Sequence, residues 1–291
     1  MANTLNREDI GELPNPLGLA GLEFIEYSTA RPQALGQVLE MVGFSPVARH
    51  RSREVTLYRQ GPMNVIVNAH DVVAPEGAGG SPAVIAALAF RVRDAGAAYR
   101  QALDNGAWAV PVNIEPMELH IPAIHGVGSS RLYFVDRWRE FSIYDVDFVP
   151  IPSVERHPPS ACSLSWFGVV QYIGNDRTED WTEFYRALFG FEPVPPETTF
   201  GILPKGRVLK SPCGSFYLQL IEPEPGILDV EDDETLARVA FATPDVVGTV
   251  AYMRERGVEF HETERVHTDV RGALTKGLLH GLSFELVHAQ R

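Results

Sequence analysis

Ala89-Phe-Arg-Val-Arg-Asp94, followed by Gly106, is matched later in the chain by Ala240-Phe-Ala-Thr-Pro-Asp245, followed by Gly257. The landmarks shared by the two stretches keep one offset, 151 residues. A second pair, Gly43-Phe-Ser-Pro-Val47 and Gly190-Phe-Glu-Pro-Val194, keeps an offset of 147. Recurrence at a domain-sized interval marks a duplicated unit. The parts of the motif have local meanings as well: an apolar strand-like run, an Asp able to cap a helix N-terminus, and a Gly able to end that helix.

Outward from these anchors, residues 22–27 read as a strand. Residues 32–42 read as a helix, with Leu35, Val38, Leu39 and Val42 at helical spacing and Gly43 as its stop. Strands are predicted at 54–58, 64–68 and 86–91, with a Gly/Pro-rich loop over 74–82. A helix at 95–105 and strands near 108–112, 131–135 and 141–148 complete the first half. Residues 150–159 are Pro-rich and polar and read as a linker. The order then repeats: strand 166–173, helix 179–189, strands 208–210 and 215–220, strand 238–242, helix 246–256, and strands 258–261, 273–279 and 283–287. The expected fold is α+β, with an N-terminal tail over 1–14 and tandem modules over 15–149 and 160–291. Each module pairs two βαβββ units into a half-open barrel around a small-molecule site.

With 291 residues, each module can bury its own core. A formal net charge of −13 disfavours nucleic acid and anionic membrane surfaces as partners. Residues 1–12 are polar and charged, no apolar run approaches the ~18 residues of a membrane helix, and the only cysteines are Cys162 and Cys213. A cytoplasmic protein with free thiols is expected. Sheets of this architecture can also pair edge to edge, which would give a homodimer.

Asn15-Pro-Leu-Gly-Leu-Ala-Gly-Leu-Glu-Phe-Ile-Glu26, His50-Arg-Ser-Arg-Glu-Val-Thr-Leu-Tyr-Arg-Gln-Gly61, the run 116–128 and the run 142–148 together resemble the N-terminal half of 4-hydroxyphenylpyruvate dioxygenase, a family of the vicinal oxygen chelate superfamily. The same runs resemble the dioxygenase-like part of bacterial fused 3-dehydroshikimate dehydratases. The resemblance implies the paired-βαβββ architecture. It also implies an Fe(II) centre in the C-terminal barrel, held by two His and one Glu, with coordination sites left for a keto acid and O2.

Carried over residue by residue, the carboxylate ligand falls on Glu285 and the second His on Arg238. The first His falls on Gly168 or, with a two-residue insertion, on Trp166. One ligand of three is retained, so the expected protein is metal-free and binds a small aromatic or carboxylate-bearing ligand. Strands that converge two ligands on one ion should converge their replacements, which places Arg238 and Glu285 within salt-bridge distance. Tyr217 and Gln219 share one strand face and are candidate pocket residues, with Trp166 as a candidate floor. Two alternatives keep a metal. Fe(II) could be held by Glu285 with unaligned His261, His267 or His280, whereas His288 points to the opposite strand face from Glu285. A different metal could instead be held by an N-terminal cluster of His70, Glu118 and His120, with His125 nearby.

Overall fold

A computed structural model describes residues 15–70, 83–111, 119–128, 130–139, 141–203, 206–223, 234–279 and 281–289. The first unit runs β1 (Gly21–Ser28), α1 (Pro32–Val42), β2 (Ser45–His50), β3 (Val55–Gln60) and β4 (Met63–Asn68). The second runs β5 (Val84–Arg91), α2 (Ala95–Asp104), β6 (Ala123–His125), β7 (Arg131–Val135), α3 (Ile143–Asp147) and β8 (Phe148–Pro150). The third comprises β9 (Ser165–Tyr172), α4 (Thr178–Phe189), β10 (Glu192–Pro193), β11 (Arg207–Lys210) and β12 (Tyr217–Ile221). The fourth comprises β13 (Thr235–Thr243), α5 (Val246–Arg254), β14 (Gly272–Leu274) and β15 (Phe284–His288).

These strands make an eight-stranded sheet, β6-β7-β5-β1-β4-β3-β2-β8, and a seven-stranded sheet, β10-β11-β12-β9-β13-β15-β14. Both are open. At the centre of each, the leading strands of two units lie antiparallel: β1 against β5, and β9 against β13. Each leading strand also has a parallel partner from its own unit: β4 for β1, β7 for β5, β12 for β9 and β15 for β13. The repeated landmarks occupy equivalent places. Ala89-Phe90 lies on β5 and Ala240-Phe241 on β13. The side chain of Asp94 accepts from Ala97 N at 2.7 Å to cap α2, and that of Asp245 accepts from Gly248 N at 2.9 Å to cap α5. Gly43 (φ 107°) and Gly190 (φ 76°) end α1 and α4 in the left-handed conformation that only glycine adopts cheaply.

Three local expectations differ. Residues 141–148 hold a helical turn, not a strand: Ser142 and Asp145 form a capping box, with Ser142 N donating to Asp145 Oδ2 at 2.8 Å. Among the described residues, the strands expected near 108–112 and at 258–261 reduce to single bridges, Ala109 to Ile124 and Phe260 to Thr275. His125 ends β6, a strand that the sequence reading does not include.

Strand alternation divides the apolar residues into two populations. Those on the concave face of the first sheet form a compact cluster including Phe24, Leu57, Ile66, Tyr144 and Phe148. The others, with the inward faces of the helices, join one core that runs through both modules. Phe90 meets Phe189 edge-on at 5.1 Å and stacks on Phe216 at 5.7 Å, while Phe44 lies 6.1 Å from Phe241. Burial raises the pKa of Tyr27 and of Tyr185. Burial, and next the charge of Glu23, raises that of Tyr144 well above 10. These phenols stay neutral in the folded chain and ionise near pH ~10 once unfolded. Stability is therefore full below pH ~10 and falls above it, by up to ~1.4 kcal/mol per pH unit for each tyrosine. Urea unfolding at about pH 9 and about pH 11 should show this loss; a flat profile would contradict the burial.

Among the described residues, no helix is long and apolar enough to cross a membrane.

Candidate functional site: the C-terminal cup

Every second residue of β9, β12, β13 and β15 faces the concave side of the C-terminal sheet. Gly168 and Val170, Tyr217 and Gln219, Ala240 and Glu285 line one small cavity there. Phe167 and Phe200 close it. Phe167 stacks on Tyr217 at 4.9 Å, and Phe200 lies 4.9 Å from the Tyr217 ring. Burial among these rings raises the Tyr217 pKa, so its hydroxyl is a neutral donor near pH 7. The cavity holds about 20 Å3, the space of roughly one water.

Arg238 and Glu285 converge as expected. Arg238 Nε lies 3.8 Å from Glu285 Oε2, and the two side chains are only 10% and 6% exposed. That distance makes an ion pair without a hydrogen bond. Arg238 Nε is buried with no hydrogen-bond partner. The convergence follows from register: Ala240, two residues after Arg238 on β13, pairs with Glu285 on β15. Glu285 is also covered by the segment around Gly201, where an added Cβ would stand 2.5 Å from Oε1.

Trp166 is placed elsewhere than expected. A bulge between Ala240 and Phe241 shifts the β9–β13 register, so Phe241 pairs with Trp166 while Ala240 pairs with Gly168. The Trp166 ring consequently turns away from the cup. It stacks on Phe241 at 5.6 Å and lies 6.3 Å from Phe44, inside the core shared by both modules. Of the two positions open for the first His ligand, only Gly168 faces the cup, and it has no donor.

Among the described residues, the two histidines of the N-terminal metal alternative lie apart. His70 follows β4, and His120 precedes β6. Four strand steps separate β4 from β6, roughly 19 Å at ~4.8 Å per step. Glu118 and His280 lie outside the described residues. Among the described residues there is no group of three His, Cys, Asp or Glu side chains placed to hold a metal ion. Among the described residues, the donor set of the C-terminal cup, one carboxylate beside a guanidinium, does not fit the iron centre that the resemblance implies.

Comparison with known proteins agrees with the fold. Residues 13–149 match the family model described as hydroxyphenylpyruvate dioxygenase, N-terminal. Residues 167–275 match the glyoxalase/bleomycin resistance protein/dioxygenase superfamily. The chain is 36% identical over 258 residues to 4-hydroxyphenylpyruvate dioxygenase of Pseudomonas sp. (strain P.J. 874), covering 84% of this chain and 72% of that protein. It is 35% identical to hemolysin VllY of Vibrio vulnificus over 269 residues, 88% of this chain and 75% of that one. It is 32% identical over 266 residues to 3-dehydroshikimate dehydratase of Pseudomonas aeruginosa, 86% of this chain but 41% of that protein. Among solved structures, a xylose isomerase-like TIM barrel/4-hydroxyphenylpyruvate dioxygenase fusion protein superposes with a TM-score of 0.73 at 24% identity, covering 96% of this chain and 50% of the fusion. A triple mutant of 4-hydroxymandelate synthase from Streptomyces coelicolor gives 0.71 at 20% identity, covering 94% and 93%. With a glyoxalase-type fold in both halves and relatives at this identity over most of its length, the chain belongs to the 4-hydroxyphenylpyruvate dioxygenase family.

Proposed function

We propose that this member of the family binds a small aromatic or carboxylate-bearing ligand in its C-terminal cup and does not carry out iron-dependent oxygenation. The observation behind this reading is the guanidinium of Arg238, 3.8 Å from Glu285 where the resemblance places a ligand of the metal. A fixed cation at that point opposes a divalent ion by like-charge repulsion. It also supplies donors suited to a carboxylate, and Arg238 Nε has no hydrogen-bond partner of its own. Phe167 and Tyr217 offer flat apolar faces for a ring, and Gln219 a polar group in the same lining. At about 20 Å3 the cavity is too small for an aromatic ring. Ligand entry therefore requires the segment carrying Phe200 and Gly201 to swing outward.

The names of the relatives favour a second reading, an active Fe(II) dioxygenase. One substrate separates the two. With 4-hydroxyphenylpyruvate and added Fe(II), an oxygen electrode should record no uptake above the protein-free control. Calorimetry should then show any binding of that keto acid abolished by Arg238→Gln. Iron-dependent oxygen uptake that disappears in Glu285→Ala would establish the second reading instead.

A further inference from the structure

The concave face of the N-terminal module differs from that of the C-terminal one. Its cavity holds about 500 Å3, enough for a small organic molecule. The floor is apolar: Val47, Ala48, Leu57 and Phe148 line the cavity and belong to the concave cluster of the first sheet. Trp138 and Tyr144 add aromatic walls. Above the floor the lining turns basic. Arg59 and Arg91 rise from β3 and β5, and Arg51, Arg139 and Arg156 stand at the mouth. Five arginines face two carboxylates, Glu23 and Asp145, an excess of three positive charges in a chain whose net charge is −13.

Both carboxylates are already engaged. Glu23 Oε2 pairs with Arg91 Nε at 2.6 Å, and Asn64 Nδ2 donates to Oε1 at 3.2 Å. Asp145 Oδ2 accepts from Ser142 N and Ser142 Oγ. Arg59 is held in place: its Nε donates to Asn64 Oδ1 at 2.7 Å and its Nη1 to Arg156 O at 2.9 Å, and its guanidinium lies 5.3 Å from the centre of the Tyr144 ring. Among the described residues, Arg51 and Arg156 form no ion pair, and Arg139 rests only on the Trp138 ring at 4.7 Å. The Tyr144 hydroxyl is buried at the cavity wall beside Glu23, whose charge and hydrogen bonding add to the burial that keeps it neutral.

We propose that this N-terminal cup is a second binding site, for a small organic dianion with a flat apolar body, such as an aryl phosphate or an aromatic dicarboxylate. The excess positive charge in a walled cavity focuses its field on an anion. Arg59, already oriented, loses little freedom on binding it. Trp138, Tyr144 and Phe148 supply the surface that a ring would cover. The site is separate from the C-terminal cup and does not depend on the reading given to that cup.

Calorimetry with phenyl phosphate, inorganic phosphate and benzylamine tests the proposal. Phenyl phosphate should bind saturably, more tightly than inorganic phosphate, and more weakly as salt rises; benzylamine should not bind. Arg59→Gln should weaken phenyl phosphate by about tenfold or more, the worth of one charge-assisted hydrogen bond. The double substitution Arg51→Gln/Arg156→Gln, at exposed positions that leave folding intact, should weaken it several-fold. Arg186→Gln, at an exposed arginine of α4, should leave it unchanged. Absence of saturable binding, or equal affinity in both arginine variants and the parent, would overturn the proposal. Loss in Arg238→Gln with retention in Arg59→Gln would also overturn it, while supporting a ligand in the C-terminal cup.

Discussion

Phe189→Ala should destabilise the whole chain by about 3–5 kcal/mol, as expected for emptying a fully enclosed aromatic position. Phe189 closes α4 in the C-terminal module and is completely buried. Its ring meets Phe90 on β5 at 5.1 Å and stacks on Phe134 on β7 at 6.0 Å, both in the N-terminal module. The cavity left by the substitution would therefore open between the modules. Because one core runs through both halves, parent and variant should each unfold in a single urea transition, the variant at lower midpoint. Two resolved transitions, or a loss under about 1 kcal/mol, would contradict a shared core.

Gly168→Ala should cost about 2–3 kcal/mol, although it adds only one methyl group. Gly168 pairs with Tyr217 across β9 and β12, and an added Cβ would stand 2.3 Å from the Tyr217 carbonyl oxygen. Backbone must then move in the centre of a sheet, where a glycine marks close approach. The same geometry bears on function. The cup-facing position where a first His ligand could stand is sterically closed to any side chain. A paired Gly168→His/Arg238→His substitution should therefore fail to build an iron site and should unfold at lower denaturant than the parent. A Gly168→Ala protein as stable as the parent would show that the strands can spread there, and would remove this barrier.

The fold was legible because duplication repeats its punctuation. Asp94 and Asp245 cap equivalent helices, and Gly43 and Gly190 end equivalent ones, so local chemistry and long-range pattern agree. The α3 turn was misread because Ile143, Tyr144 and Phe148 resemble a strand; the Ser142-x-x-Asp145 capping box was the signal to the contrary. The direction of Trp166 was not legible, since a β-bulge moves the side-chain alternation by one and nothing local announces it. Arg238 and Glu285 were placed together correctly because their strands hydrogen-bond in register. The N-terminal cup went unread for a different reason. Glu23, Arg59, Asn64 and Arg91 come from four strands and meet only once the sheet has formed. Charges within a fully buried run, as Glu23 and Glu26 are within Gly21–Ser28, are the trace that sequence leaves of a site assembled only by folding.

A guanidinium stands where the family resemblance places a metal ligand, and the iron content of the reconstituted chain reads the consequence. The chain would be reconstituted with Fe(II) without oxygen, freed of loose metal by gel filtration, and analysed for iron alongside Glu285→Ala. Iron should stay far below one equivalent in the parent, with no further loss in the variant. A full equivalent in the parent, lost in Glu285→Ala, would contradict it.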